Sequence, residues 1–217
     1  MVERPILFSG PMVRALLGGR KTVTRRIIKP QPTISDRGNL CWKDWCYGQT
    51  PDGRPAVASL AKVSPYGQPG DRLWARETWA LEDLEGDGQR VVWQADRAAA
   101  WRANLDKHFY LASDYTPTRW RPSIHMPRWA CRLIREVVSV RAERLHDITE
   151  EDAKAEGAEP IGITFRDEAR GARIVPSLGG PYRDGFRILW ESINGAESWD
   201  ANPWVWRVEL KQVEGVR

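Results

Sequence analysis

Four cations crowd one short stretch of this chain, Arg20, Lys21, Arg25 and Arg26, with Thr24 among them. Lysines and arginines this close together suit a phosphate-binding face, and on that reading Thr24 is an ordinary strand threonine. The second reading is chemical. A threonine hydroxyl becomes a useful nucleophile only when a base removes its proton, and a lysine can be that base if neighbouring cations lower its pKa. Glu156 ends a run whose pattern predicts a helix, so the negative end of the helix dipole would raise its pKa and suit it to donate a proton. Residues 21 and 24 are three apart, so a straight strand would point them to opposite faces. They converge only if the chain turns between them, and Gly18-Gly19 just upstream permits a turn.

Two further places carry polar groups in unusual settings. Glu77 falls in an alternating run in which Leu73, Ala75 and Trp79 share its face. A carboxylate on an apolar face needs a partner. That partner is an arginine in a structural ion pair or the exocyclic amine of a bound base. The stretch RPSIHMPRW, 121–129, places Ser123, His125 and Trp129 around two prolines that stiffen the loop. His125 then either contacts a ligand or caps a strand. No Ser-His-Asp order and no phosphate-cradling glycine loop stands out. Cys41 and Cys46 have the spacing C-x4-C without further ligands nearby, so they read as two loop thiols rather than a zinc site. No metal and no cofactor is expected.

The elements that must position these groups are mostly strands. Pro5–Ser9 reads as a strand, and Pro11 opens a helix over 11–18 that Gly18-Gly19 stops. Residues 20–29 turn into a strand. Residues 30–69 read as an irregular insertion with a hairpin around Cys41–Tyr47. Gly70–Ala80, Val91–Gln94 and Cys131–Leu145 read as strands. Asp96–Lys107 reads as a short helix and 108–129 as loop. Thr149 is placed to cap a helix with Glu150, Glu151 and Asp152 in its first turn and Gly157 as its stop. Residues 158–178 read as a mobile loop, Pro181–Ile193 as an amphipathic helix, and the alternation from Trp204 to Lys211 as a last strand. The fold class is therefore mostly β with α decorations, a small β-barrel with flanking helices.

Composition bounds the rest. A 217-residue chain with 41% hydrophobic and 29% charged residues has enough core to fold without metal or disulfide. Its net charge of +4 is compatible with a polyanionic partner. Three cysteines, an odd count, argue against a secreted disulfide scaffold. No apolar run reaches membrane-spanning length and the first residues lack a signal segment, so the expectation is a cytoplasmic protein without membrane contact. The 12 tryptophans are unusual. Packing accounts for most of them, and base stacking is the alternative for some.

Several segments together carry a family resemblance. GRKTVTRR (19–26) looks like the G-x-K-T-x-x-x-R opening of ASCH domains, a PUA-like family. Gly70-Asp71-Arg72-Leu73 is similar to its G-D-x-L element. LHDITEEDAKAEG (145–157) resembles its strand-helix element, and WVWRVEL (204–210) its closing strand. These segments run across residues 5–212 of one domain, 1–217, with insertions near 30–69, 80–128 and 158–178. The pattern is similar to larger phage and prophage members. The resemblance implies a PUA-like barrel that binds RNA, DNA or a modified nucleoside. One branch, small N4-acetylcytidine amidohydrolases, implies hydrolysis of an N4-acyl amide, with Lys21 as proton acceptor, Thr24 as nucleophile and Glu156 as proton donor. Arg20, Arg25, Arg26, Glu77, Ser123, His125 and Trp129 are then the substrate contacts. The other reading is a non-catalytic RNA- or DNA-binding module.

Overall fold

A computed structural model describes residues 1–83, 88–96, 119–167, 171–176 and 180–213, with the backbone alone for 162–167 and 171–176. The expected helix over 96–107, apart from Asp96, and the loop that follows it to residue 118 lie outside the described residues. The chain is α+β, with strands in several sheets and few helices. Among the described residues the sheets are open and none closes into a barrel. No helix among them is long and apolar enough to cross a membrane. The chain divides into two compact units, and segments of each alternate along the sequence.

The first unit comprises 1–19, 71–136 and 212–217. Strand β1 (Glu3–Leu7) leads directly into helix α1 (Gly10–Leu17), which carries a proline in its first turn. Met12, Val13, Ala15 and Leu16 are its buried face. Numbered along the whole chain, the strands of this unit are β1, β6 (Arg72–Arg76), β7 (Trp79–Asp83), β8 (Gln89–Trp93) and the start of β9 (Ile134–Arg144). Strand β6 pairs in parallel with β1, from Glu3 opposite Arg72 to Leu7 opposite Arg76, and antiparallel with the start of β9. The sequence suggests one strand over 70–80; the structure breaks it at Glu77-Thr78. The cause is a change of partner. The Trp79 N–H donates to Arg121 O and Trp79 O accepts from the Arg121 N–H, so the chain leaves β6's ladder and opens the β7–β8 hairpin. Leu73, Ala75, Glu77 and Trp79 are all buried, as their shared face requires. Trp79, Met126 and Ala130 form a small core with Leu81, Val91 and Trp93 against it.

The second unit comprises 20–70 and 137–211. Strand β2 (Val23–Ile27) pairs antiparallel with β12 (Trp204–Gln212), and the rest of β9 lies on the other side of β12. A second sheet is the meander β3 (Thr33–Ile34), β4 (Leu40–Trp42) and β5 (Trp45–Gly48), followed by the short helix α2 (Val57–Ala61). In the β4–β5 hairpin Trp42 opposes Trp45 across a two-residue turn, which places Cys41 opposite Cys46. Their Cα atoms are 4.0 Å apart and the sulfurs are bonded. The two thiols expected from the sequence are thus a disulfide, because C-x4-C is the spacing of a cross-strand pair one position beyond a two-residue turn. Residues 158–178 also differ from expectation: β10 (Gly162–Asp167) and β11 (Gly171–Pro176) form an antiparallel hairpin within them.

Helices α3 (Glu150–Ala155) and α4 (Pro181–Asn194) complete the second unit. Thr149 caps α3 by accepting the Asp152 N–H at 3.1 Å. The Glu150 carboxylate caps α4 in turn, accepting the N–H groups of Tyr182 (2.7 Å) and Arg183 (2.9 Å), which otherwise have no partner inside the helix. Phe186, Trp190, Trp199, Val205, Leu145, Ile148 and Ala153 make the core beneath. Gly185 sits where a methyl group would collide with the Glu159 carbonyl. Ala in place of Gly inside a helix ordinarily stabilises by about 1 kcal/mol. We predict the opposite for Gly185→Ala, a loss of about 1–3 kcal/mol from overpacking, read from the midpoint of urea unfolding. A midpoint equal to or above wild type would show that α4 does not sit this close to Glu159.

Candidate functional site

Thr22 joins the elements that build the site in the second unit. Its N–H donates to Ala155 O at 2.8 Å, at the end of α3, and its carbonyl accepts the Leu210 N–H of β12 at 2.7 Å. Lys21 is thereby held at the C-terminus of α3. Its Nζ donates to Glu156 O (2.8 Å), Val23 O (2.8 Å) and Glu156 Oε2 (2.6 Å). Three acceptors match the three N–H donors of an ammonium. The cation also lies against the Glu156 carbonyl at the helix terminus, where the dipole favours positive charge. Glu156 follows the last residue of α3 and Gly157, at φ 81°, turns the chain away.

Both side chains of this pair are buried, Lys21 at 2% and Glu156 at 2% exposure. Burial pushes the Lys21 ammonium below its ordinary value, Arg26 and Arg25 push the same way, and Glu156 opposes them. Neighbouring cations are the cause expected from the sequence; burial is the larger one.

Around the pair runs an ionic network. Arg25 donates from Nε to Glu143 Oε1 (2.9 Å) and from Nη2 to Asp152 Oδ2 (2.6 Å), and its Nη1 is 3.4 Å from Glu156 Oε1. Arg207 donates to Asp152 Oδ1 (2.8 Å) and Arg141 to Glu143 Oε2 (2.6 Å). Arg207 also lies 3.4 Å from Glu209. Four cations (Lys21, Arg25, Arg141, Arg207) thus meet four carboxylates (Glu143, Asp152, Glu156, Glu209), a formal sum of zero. Burial would raise Asp152, but its bonds to Arg207 and Arg25 outweigh burial and hold it below the usual range.

Thr24 sits apart from this network by strand geometry. Paired residues of a ladder share a face. Arg25 opposes Arg207, whereas Thr24 opposes Val208 and Arg26 opposes Trp206. Thr24 and Arg26 therefore point to the face that carries Trp206, which packs edge-on against Trp42 at 5.8 Å. Thr24 is 1% exposed, and its hydroxyl has no hydrogen-bond partner. No hydrogen bond links it to Lys21. Arg26 lies near Tyr66: burial lowers the guanidinium, and burial raises the phenol against the pull of Arg26.

The other residues singled out from the sequence divide between the units. Arg20, exposed, belongs to the second. Glu77, Ser123, His125 and Trp129 belong to the first. Both Glu77 oxygens are engaged by Arg132, from Nε at 2.9 Å and Nη2 at 3.0 Å, and Arg132 reaches Asp96 at 2.6 Å and stacks over Trp93. Burial raises the Glu77 carboxyl against the opposing pull of Arg132. Ser123–His125 is a single 3-10 turn, with His125 exposed, and Trp129 is 66% exposed with its ring edge-on to Trp79 at 5.5 Å. Among the described residues no group of three His, Cys, Asp or Glu side chains is arranged to hold a metal.

Glu143, Asp152 and Arg207 belong to the site without having stood out in the sequence. Asp152 reads there only as a partner of the helix dipole, and it takes the β2–β12 register, with Arg25 opposite Arg207, to show that a carboxylate must lie between them. Comparison with protein-family models, curated proteins and solved structures finds no match for this chain.

The buried pair gives a stability prediction. Removing one partner leaves an uncompensated buried charge, at about 3–5 kcal/mol. Lys21→Met and Glu156→Gln should each destabilise by that order, and the double variant by less than their sum, a coupling of about 1–3 kcal/mol. In the folded chain Lys21 titrates below 10.5. The unfolded chain then holds more protons between that lowered value and 10.5, so this group's contribution to stability rises with pH across that window. The rise should vanish in Lys21→Met. Urea unfolding at several pH values reads both effects; strictly additive losses would remove the pair as a coupled unit.

Proposed function

We propose that the chain is a diverged ASCH-type protein, with its sheets derived from a PUA-like barrel, that binds a modified nucleoside, free or in RNA or DNA, in the second unit and hydrolyses an N4-acyl amide there. The observation that carries this reading is the buried Lys21–Glu156 contact of 2.6 Å, which joins the two residues the resemblance named as base and acid. Passage of one proton along that bond leaves a neutral amine and a protonated carboxyl, the two forms the reaction needs. The lowered Lys21 pKa favours the same exchange.

The Lys21 amine takes the Thr24 hydroxyl proton while Oγ1 attacks the acyl carbon. Glu156 protonates the leaving N4 amine, and the C–N bond breaks to leave an ester on Thr24. Water then hydrolyses the ester, releasing the acid and restoring the hydroxyl. The Thr24 hydroxyl, buried without a partner, has its hydrogen-bonding capacity unused in the unliganded protein. Arg26 shares its face and is placed to stabilise an oxyanion. A cytoplasmic setting suits this substrate class.

A second reading is favoured by a specific observation: all three Lys21 N–H groups are engaged and none reaches Thr24. On that reading the same residues form a rigid frame for binding nucleic acid without chemistry.

Turnover of N4-acetylcytidine, free and within an oligonucleotide, separates the two. For the enzyme we expect Thr24→Ala to abolish turnover with substrate affinity within about twofold. Lys21→Arg should not rescue Lys21→Ala, since arginine does not act as a base near neutral pH. Glu156→Gln should slow the step by about 10²-fold or more. Binding with no turnover by folded wild type would leave the non-catalytic reading; full activity in Thr24→Ala would reject Thr24 as nucleophile.

A further inference from the structure

A cleft in the first unit lies outside the site described above. The β7–β8 hairpin places Trp79, Leu81 and Asp83 opposite Trp93, Val91 and Gln89, so these six share one face. At the Trp79 end that face is covered by Met126 and Ala130. At the other end, among the described residues, Leu81, Asp83 and Gln89 floor a cleft of about 470 Å³ whose wall is Arg119, Trp120, Arg121, Pro122 and His125. That size falls within the range of about 300–1,000 Å³ typical of small-molecule sites.

The wall is fixed. The backbone of Arg121 exchanges hydrogen bonds with Trp79 in both directions, and its guanidinium stacks over the Trp79 ring at 4.9 Å. Pro122 then leads into the 3-10 turn that carries His125, closed by the His125 N–H to Pro122 O.

The arginines of this cleft differ from four others in the unit. Arg4, Arg90, Arg128 and Arg132 each hold a carboxylate. Among the described residues no carboxylate pairs with Arg119, Arg121 or His125, and Asp83 is engaged by Gln89 Nε2 at 2.7 Å. Two guanidiniums, an imidazole and the Asp83 carboxylate thus surround a cleft that also holds an indole, Trp120, and an apolar floor residue, Leu81. Guanidiniums bind phosphate oxygens in bidentate fashion, and an indole stacks a base of any sequence.

We propose that this cleft is a second, separate nucleotide-binding site, which takes a phosphate between Arg119, Arg121 and His125 and an unpaired base on Trp120. It does not depend on the chemistry in the second unit. The phosphate and base come either from a free mononucleotide or from a single strand.

Fluorescence anisotropy with a fluorescein-labelled ten-residue oligouridylate, titrated against salt, tests this on the full chain. Arg119→Gln with Arg121→Gln should weaken binding about tenfold and reduce the salt slope by about 0.7, the value for one single-strand phosphate that is no longer neutralised. Thermal unfolding checks that this variant folds. Arg119→Gln with His125→Gln, which leaves the Arg121–Trp79 stack intact, gives a second reading in the same direction. Trp120→Leu should weaken the oligonucleotide while leaving the salt slope unchanged. The oligouridylate carries no N4-acyl amide, so failure of turnover in the second unit and failure of this site are read separately. Competition by uridine monophosphate would identify a mononucleotide source and its failure a strand; either supports the site. No binding by wild type, wild-type affinity in both double variants, or wild-type affinity in Trp120→Leu would overturn it.

Discussion

The ion pair between Lys21 and Glu156 is the constraint around which the second unit is organised. Taking an ammonium and a carboxylate out of water costs several kcal/mol each, and attraction offsets this only where the geometry is good and the remaining donors are satisfied. Both conditions hold: Lys21 has two carbonyls besides the carboxylate, and Glu156 has Arg25 besides the lysine. The hydrogen bonds that satisfy Lys21 come from the end of α3 and the start of β2. The helix terminus and the strand are therefore positioned by one side chain, with the backbone of Thr22 fixing the spacing. An apolar pair of the same volume would be cheaper to bury. It would not fix the distance between α3 and β2 to hydrogen-bonding precision.

That pair also accounts for the spread of charge around it. Arg25 and Arg207 stand opposite one another on neighbouring strands, an arrangement that repels unless anions intervene. Asp152 bonds to both, and Glu143 takes the remaining side of Arg25. Asp152 comes from the first turn of α3 and Glu156 from just past its end, four residues on and on the same helical side. The helix thus presents two carboxylates to one strand. Its N-cap, Thr149, and its stop, Gly157, set which residues these are.

Much of this is legible locally and little of it globally. The helix over 150–155, its cap and its stop follow from Thr149, the acidic first turn and Gly157, all short-range signals. The last strand and the buried face of 73–79 follow from alternation. What the sequence hides depends on partners distant along the chain. The break at Glu77-Thr78 exists because Trp79 pairs with Arg121, forty-two positions away by residue number, and nothing near Trp79 indicates it. The hairpin within 158–178 is hidden because its residues carry no clean alternation. The Cys41–Cys46 bond is compatible with the spacing of a two-residue turn, but an odd cysteine count points the other way. Lys21 and Glu156 stand out through resemblance; the register that sets Thr24 on the other face from Arg25 does not follow from their spacing.

The two regions differ in how their charges are balanced, and that difference bears on ligand chemistry. Around Lys21 cations and carboxylates cancel and are mostly buried, so a ligand there meets little net field from the network itself. A phosphate would have to displace a carboxylate from an arginine, trading one charge-assisted bond for another with desolvation added. A neutral base or nucleoside incurs no such exchange, and hydrogen bonding to a buried, unpartnered hydroxyl would relieve a standing cost of about 1–3 kcal/mol. The cleft of the β7–β8 hairpin differs: its two arginines pair with no carboxylate among the described residues, and its one carboxylate, Asp83, is held by the Gln89 amide. An anion bound there gains attraction without breaking an existing pair. On the proposed readings, a neutral nucleoside suits the charge balance of the second unit and an anionic ligand suits that of the cleft, each read within its own unit.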